Sequence, residues 1–294
     1  MIYLLLSILC SSLLVLAFKI FERTGTPIFQ AIVFNYLSAT VFAFLFLPSH
    51  SSFTSSEIWS RDWLPFSLLL GSLFIIVFNL TSITTVRYGI STASVAMKLG
   101  LVFPVLLAFM VYGESFNLMK AGGIILAFVA VVLSSLRDAP VHQTKKSSLA
   151  VLPIIVFGGS GLCDSLTQLA NKKYLHHQGM EEFSLFLFAA AAFIGTGVFV
   201  FQLLTKRTSF QLKSLVGGLV LGVINYFSFL FMLKALATVS WGSAVVFPLS
   251  NLGTVGCATL AGIFIFREKI SLLNAAGLAF AVLAITLIVG AQYF

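Results

Sequence analysis

Two charged side chains lie well inside apolar stretches of this sequence, and they are where chemistry is expected. In "SVAMKLGLVFP", residues 94–104, Lys98 is the lone charge in an apolar run from about residue 90 to 112. In "LCDSLTQLANK", residues 162–172, Asp164 sits inside a second run, whereas Glu22, Glu57, Asp62, Glu114, Asp138, Glu181, Glu182 and Glu268 fall in loops or at helix ends. Lys98 is about eight residues, roughly 12 Å of helix, from the nearer end of its run. Lys19, Lys172 and Lys234 can snorkel from helix ends, but Lys98 cannot. A charge held inside a bilayer is costly and generally faces a bundle interior or a wet cavity, where it marks a pathway. Lys98 is suited to a carboxylate or phosphate, and Asp164 to an ammonium group or a proton. The alternative is that the two neutralise one another as a buried ion pair.

Polar side chains in other apolar runs form a second tier: Asn35, Asn79, Gln168, Asn171, Asn225, Tyr226 and Asn251. Asn79, Asn225, Tyr226 and Asn251 are the candidates for orienting a ligand. Interhelical hydrogen bonding, worth under about 1 kcal/mol on average, would explain any one of the amides alone. Asn251 stands out in "VVFPLSNLGTVG", residues 245–256, where Pro248, Gly253 and Gly256 weaken a helix and free backbone carbonyls. Pro104, six residues after Lys98, can bend its helix in a similar way.

The elements that must position these groups follow from composition. Of 294 residues, 59% are hydrophobic and 9% charged, against roughly 25% charged in soluble domains. This is the composition of an all-α integral membrane protein. A spanning helix needs about 20 mostly apolar residues, and apolar runs near 2–20, 27–47, 64–86, 90–112, 116–136, 149–172, 183–205, 214–236, 240–266 and 270–291 predict ten transmembrane helices. The first run lacks a basic leader and an A-x-A-like cleavage site, and reads as a retained span. The net charge of +8 comes from Lys and Arg placed singly or in pairs at the ends of runs, as cations flank bilayer helices. No basic patch is interleaved with aromatics, so no nucleic-acid partner is expected. His50, His142, His176 and His177 all fall in loops, and no HExxH, GxSxG or P-loop is present. One intramembrane aspartate has no partner carboxylate, so neither an enzyme nor a cofactor or metal is expected. Cys10, Cys163 and Cys257 lack ligand spacing and read as packing residues.

The sequence also repeats itself. "LCSSLLVLAFK" at 9–19 matches "LCDSLTQLANK" at 162–172 with an offset of 153. "YGE" before "GGIILAFVAVVL" matches "FRE" before "AGLAFAVLAITL" with an offset of 154. The reading is two five-helix repeats, 1–137 and 149–294, joined by a central loop at 138–148. An odd number of spans per repeat makes the repeats inverted, with a site expected near the midplane between them. The counterpart of Asp164 is Ser11, and aligning "ISTASVA" (90–96) with "VSWGSAV" (239–245) puts Phe247 opposite Lys98. Each charge then exists in one repeat, which favours ligand contact over a shared scaffold. Odd-numbered loops carry eleven Lys and Arg residues and even-numbered loops five, which places both termini outside by the positive-inside rule.

Ten spans in two inverted repeats, Gly113-Glu114 closing the fourth run, Arg267-Glu268 in the ninth, and a glycine-bearing helix after each together resemble the drug/metabolite transporter superfamily, most closely its EamA-like exporters. The resemblance implies a secondary carrier that moves a small-molecule substrate by alternating access, expected in the bacterial inner (plasma) membrane; burial perturbs the proton affinities of Lys98 and Asp164, which makes the proton one candidate coupling ion. It implies a cavity lined by the third, fourth, eighth and ninth helices with the first and sixth, where Asn79, Lys98, Asp164, Asn225, Tyr226 and Asn251 fall. It also implies cytoplasmic termini, opposite to the charge count. The expected substrate is a small polar or zwitterionic metabolite such as an amino acid. Export of cationic drugs, or a structural membrane protein that transports nothing, are the alternatives.

Overall fold

An apolar segment in lipid has no solvent for its backbone N–H and C=O groups and satisfies them within its own helix. The computed structural model describes residues 1–48, 56–88, 96–113, 117–135, 151–175, 179–239, 242–266 and 272–290, and among them every α- or β-type element is helical. In chain order these are α1 (Ile2–Thr24), α2 (Ile28–Leu45), α3 (Leu64–Tyr88), α4 (Ala96–Met110), α5 (Leu118–Ser135), α6 (Val151–Ala170), α7 (Met180–Leu204), α8 (Leu212–Thr238), α9 (Ser243–Phe266) and α10 (Leu272–Gly290). A short 3₁₀ turn, Ser56–Ser60, precedes α3, and a π-turn, Asn171–Leu175, extends α6. Every apolar run read from the sequence carries a helix. Among the described residues, seven helices are long and apolar enough to cross a membrane, and shorter apolar stretches lie at Ala96–Met110, Ala121–Ala130 and Ala275–Ala284. Glu114, Arg267, Glu268, the four histidines and the central loop lie outside the described residues.

The chain forms two compact units. Unit one comprises Met1–Asn79 with Leu166–Val239, and unit two Leu80–Ser165 with Ser240–Phe294. Each unit draws on both halves of the sequence, and the chain passes from one to the other within α3 and within α6.

Unit one is built around α8, which packs on α1 and α2, while α7 packs on α2. Small residues permit the approach. A Cβ added to Gly218 would strike the Ala31 carbonyl and the Phe34 side chain, and one on Gly222 would strike the Asn35 carbonyl and Ser38. These glycines are one turn apart on one face of α8, the pattern by which helices in lipid gain close packing. Ser38 Oγ donates to the Leu219 carbonyl at 2.8 Å. Ser7 Oγ donates to the Ser228 carbonyl at 3.1 Å, and the Ser11 and Ser228 hydroxyls share a 2.8 Å hydrogen bond. Phe188 of α7 meets the rings of Tyr36, Tyr226 and Phe229. In unit two, α10 packs on α5, and α9 packs on α4 and α5.

Gly222→Ala should lower the unfolding midpoint of the purified protein, since overpacking a filled contact costs about 1–3 kcal/mol. Gly197→Ala, where an added Cβ meets nothing within 4 Å, should leave it unchanged or slightly raised. Equal midpoints for the two variants would contradict this packing.

Candidate functional site

The site in unit two begins with Pro104. Its ring lacks an N–H and displaces the carbonyl four residues back, that of Gly100. α4 is accordingly interrupted: Ala96–Leu99 is helical, Gly100 and Leu101 form a turn, and the helix resumes over Val102–Met110. Backbone bonds tighten to the three-residue spacing there, with Gly100 N–H donating to Met97 at 3.3 Å, Leu101 to Lys98 at 3.3 Å and Phe103 to Gly100 at 3.0 Å. Lys98 therefore stands directly before a break in its helix. The Met97 carbonyl beside it accepts a second bond, from Ser160 Oγ of α6 at 3.0 Å.

A crossing of α4 and α6 fixes this geometry. A Cβ on Gly100 would collide with Ser160 Oγ and the Gly161 backbone nitrogen, and a Cβ on Gly161 would collide with the Phe103 ring. Only glycine at both positions lets the backbones meet. Phe103 in turn packs on Phe157 with ring centroids 5.2 Å apart. Asp164 follows Gly161 by just under one turn of α6, and Lys98 precedes Gly100 by two residues, so the crossing brings the two charges into one region.

Lys98 Nζ donates to Asn251 Oδ1 of α9 at 2.8 Å. Asp164 acts on Lys98 through its field, while the ammonium's direct bond goes to the amide. All three residues are half-buried. An ammonium carries three donors and an asparagine amide nitrogen two more, so the pair retains donors beside a carboxylate. The cluster is a cation, an anion and a neutral amide inside apolar helices, able to meet an oxyanion and an ammonium group together.

Asn251 also offers a second register for the repeat read from the sequence. It lies 153 residues from Lys98, the offset that relates 9–19 to 162–172, and it matches Lys98-Leu99-Gly100 to Asn251-Leu252-Gly253. Asn251, and not Phe247, is thus the counterpart of Lys98 at that offset. The two prolines do not produce equivalent breaks: α9 continues as helix through Pro248, whereas α4 is interrupted ahead of Pro104.

The remaining candidates lie in unit one. Asn79 Nδ2 donates to the Ile75 carbonyl of its own helix at 2.8 Å, Asn225 is half-buried, and Tyr226 is fully buried among Phe46, Phe188 and Phe227. The Tyr226 hydroxyl has no hydrogen-bond partner among the described residues. Ser160, Gly100 and Gly161, which place the cluster, were not singled out from the sequence. The signal for Ser160 and Gly161 was the small-residue run "GGSG" at 158–161, a close-packing pattern for membrane helices.

The Lys98–Asn251 bond is accessible to a double-mutant cycle. Asn251→Leu removes the partner of a charged donor, and the coupling to Lys98→Met should be about 1.5–3 kcal/mol, the range for hydrogen bonds to charged groups. Chemical unfolding of the wild type, both single variants and the double variant measures it, and a coupling near zero would show that the bond does not form.

No protein-family model matches the sequence. Among solved structures, a crystal structure of a protein superposes with a TM-score of 0.73 over 97% of this chain and 94% of that one at 14% identity, a likeness of fold. An uncharacterized protein of Haemophilus influenzae is 33% identical over 287 residues, 96% of this chain and 95% of that one. Identity at that level along nearly the whole of both chains places this protein in the same family as the Haemophilus influenzae protein.

Proposed function

We propose that the protein is a secondary transporter that exports a small polar or zwitterionic metabolite, such as an amino acid, by alternating access across the plasma membrane. The observation that carries this reading is the Lys98–Asn251 bond beside Asp164 and the interrupted α4. Interrupted helices with freed backbone groups and opposed charges are what carriers place around a substrate. The Lys98 ammonium would take the substrate's carboxylate, Asn251 would orient it, and Asp164 would take the amine or a coupling proton. Resemblance to the EamA-like exporters supports the same reading.

The proposal includes ten spans in two inverted repeats, 1–137 and 149–294. Residues related by a two-fold axis can bond to one another only near that axis. On this reading Lys98 and Asn251, equivalent at the 153 offset, lie on it. A contact on the axis maps onto itself when the repeats exchange conformations, so it persists in both transport states while Asp164, whose counterpart is Ser11, changes surroundings. Export of cationic drugs is the competing reading, favoured by one observation: the direct bond of Lys98 goes to Asn251, leaving Asp164 able to meet an organic cation.

Thermal unfolding of the purified protein with amino acids, sugar phosphates, nucleotide sugars and lipophilic cations separates these readings, because a ligand of the native state raises the midpoint by mass action. A zwitterionic amino acid should raise the wild-type midpoint and lose that effect in Lys98→Met and in Asp164→Asn. A rise with lipophilic cations that depends on Asp164 alone would favour the drug exporter, and no rise with any compound would count against a substrate at this cluster.

A further inference from the structure

Unit one has two chemically different ends. At one, Gln30 of α2 fastens the turn between α7 and α8: its Nε2 donates to Thr208 Oγ1 at 2.9 Å and to the Ser209 carbonyl at 2.7 Å, and its Oε1 accepts from the Gln211 N–H at 3.2 Å. Ser214 Oγ adds a bond to the Pro27 carbonyl at 3.3 Å. α1 and α7 both end here in the same closure. At α1, Gly25 has φ +63° and Thr26 N–H returns to Phe21 at 2.9 Å; at α7, Lys206 has φ +54° and Arg207 N–H returns to Gln202 at 2.9 Å. A lysine in the left-handed region is uncommon, and such strain persists where the surroundings fix it.

The clasped end is basic. Arg23, Lys206, Arg207 and Lys213 are exposed, Lys19 lies one turn above Arg23, and Glu22 is the lone carboxylate within 19–30 and 201–214. Apolar side chains stand among the cations: Leu204, Phe210 and Leu212 are 78%, 53% and 65% exposed, and the Arg207 guanidinium lies over the Phe201 ring at 6.0 Å. At the opposite end, Arg61, Lys172, Lys173 and Lys234 stand among Asp62, Glu181 and Glu182, and Lys234 bonds Glu181 at 2.8 Å. Trp63 meets Phe183 there, and Phe66 meets Tyr174, ring contacts packed inside an end whose charges are mixed in sign.

We propose that the clasped basic end of unit one rests on anionic lipid headgroups of the cytoplasmic leaflet, with the start of α1 on the opposite face of the membrane. Cations interleaved with apolar side chains fit a surface that is negative outside and hydrocarbon beneath. The Gln30 clasp holds them in place as a preformed patch. This orientation agrees with the eleven-to-five charge count and is the reverse of the one implied by the likeness to EamA-like exporters.

Two experiments test it. With Cys10, Cys163 and Cys257 replaced by serine, Ser209→Cys and Lys173→Cys are probed with a membrane-impermeant maleimide on sealed cells and after permeabilisation. Lys173→Cys should label in sealed cells, and Ser209→Cys only after permeabilisation. The reverse pattern, or labelling of Ser209→Cys in sealed cells, overturns the orientation. In a background that keeps its cysteines, the full chain is reconstituted in nanodiscs of phosphatidylcholine with or without phosphatidylglycerol. The anionic lipid should raise the unfolding midpoint, and the rise should shrink in Lys206→Gln/Arg207→Gln/Lys213→Gln. No rise, or an equal rise in the triple variant, overturns the headgroup contact.

Discussion

A polar group inside hydrocarbon must find its partner within the protein, and this constraint governs the chain from its backbone to its site. It turns every apolar run into a helix, because no other local structure satisfies the main chain. It selects glycine where helices touch, because hydrocarbon on both sides removes most of the hydrophobic gain from association and leaves packing to do the work. It also explains why Lys98 hydrogen-bonds to an asparagine of a different helix. Without such a partner, an ammonium within an apolar stretch would have to reach back to water.

Several parts follow from one another. Pro104 breaks α4 at Gly100; the break leaves the Met97 carbonyl to Ser160; the Gly100–Gly161 contact brings α6 close enough for that bond to form. Asp164 is carried into range of Lys98 by the same crossing. A small set of residues with no charge of their own therefore determines where the charges lie.

Much of this was legible in the sequence, and the reason lies in the length of the apolar runs. Among the described residues, the helices follow from the apolar runs because length and composition decide them, seven being long and apolar enough to span, and their ends differ from the sequence reading by only a few residues except in α4, whose preceding residues lie outside those described. Lys98, Asp164 and Asn251 were legible as candidates because polar side chains in apolar runs are conspicuous, and the structure joins Lys98 to Asn251. The identity of the partner was not. Opposite charges invite a pairing of lysine with aspartate, yet the direct partner is the one that the packing of α9 on α4 delivers to within 3 Å, Asn251, while the α4–α6 crossing at Gly100, Ser160 and Gly161 carries Asp164 into the same region. Two repeat registers compete in the same region because matching small and β-branched residues in an apolar sequence is degenerate; the offset of 153 that relates 9–19 to 162–172 sets Lys98 opposite Asn251. The division into two units that each mix both halves of the sequence was also hidden, since it arises from contacts far apart along the chain.

The Lys98–Asn251 bond has a consequence for how the chain is made. Lys98 leaves the ribosome 153 residues ahead of its partner, which at 5–20 residues per second is about 8–30 s. Asp164, 66 residues after Lys98, emerges sooner but does not supply the final contact. Through that interval the ammonium lacks its Asn251 partner, and the bond that ties α4 to α9 closes only once residue 251 has been made.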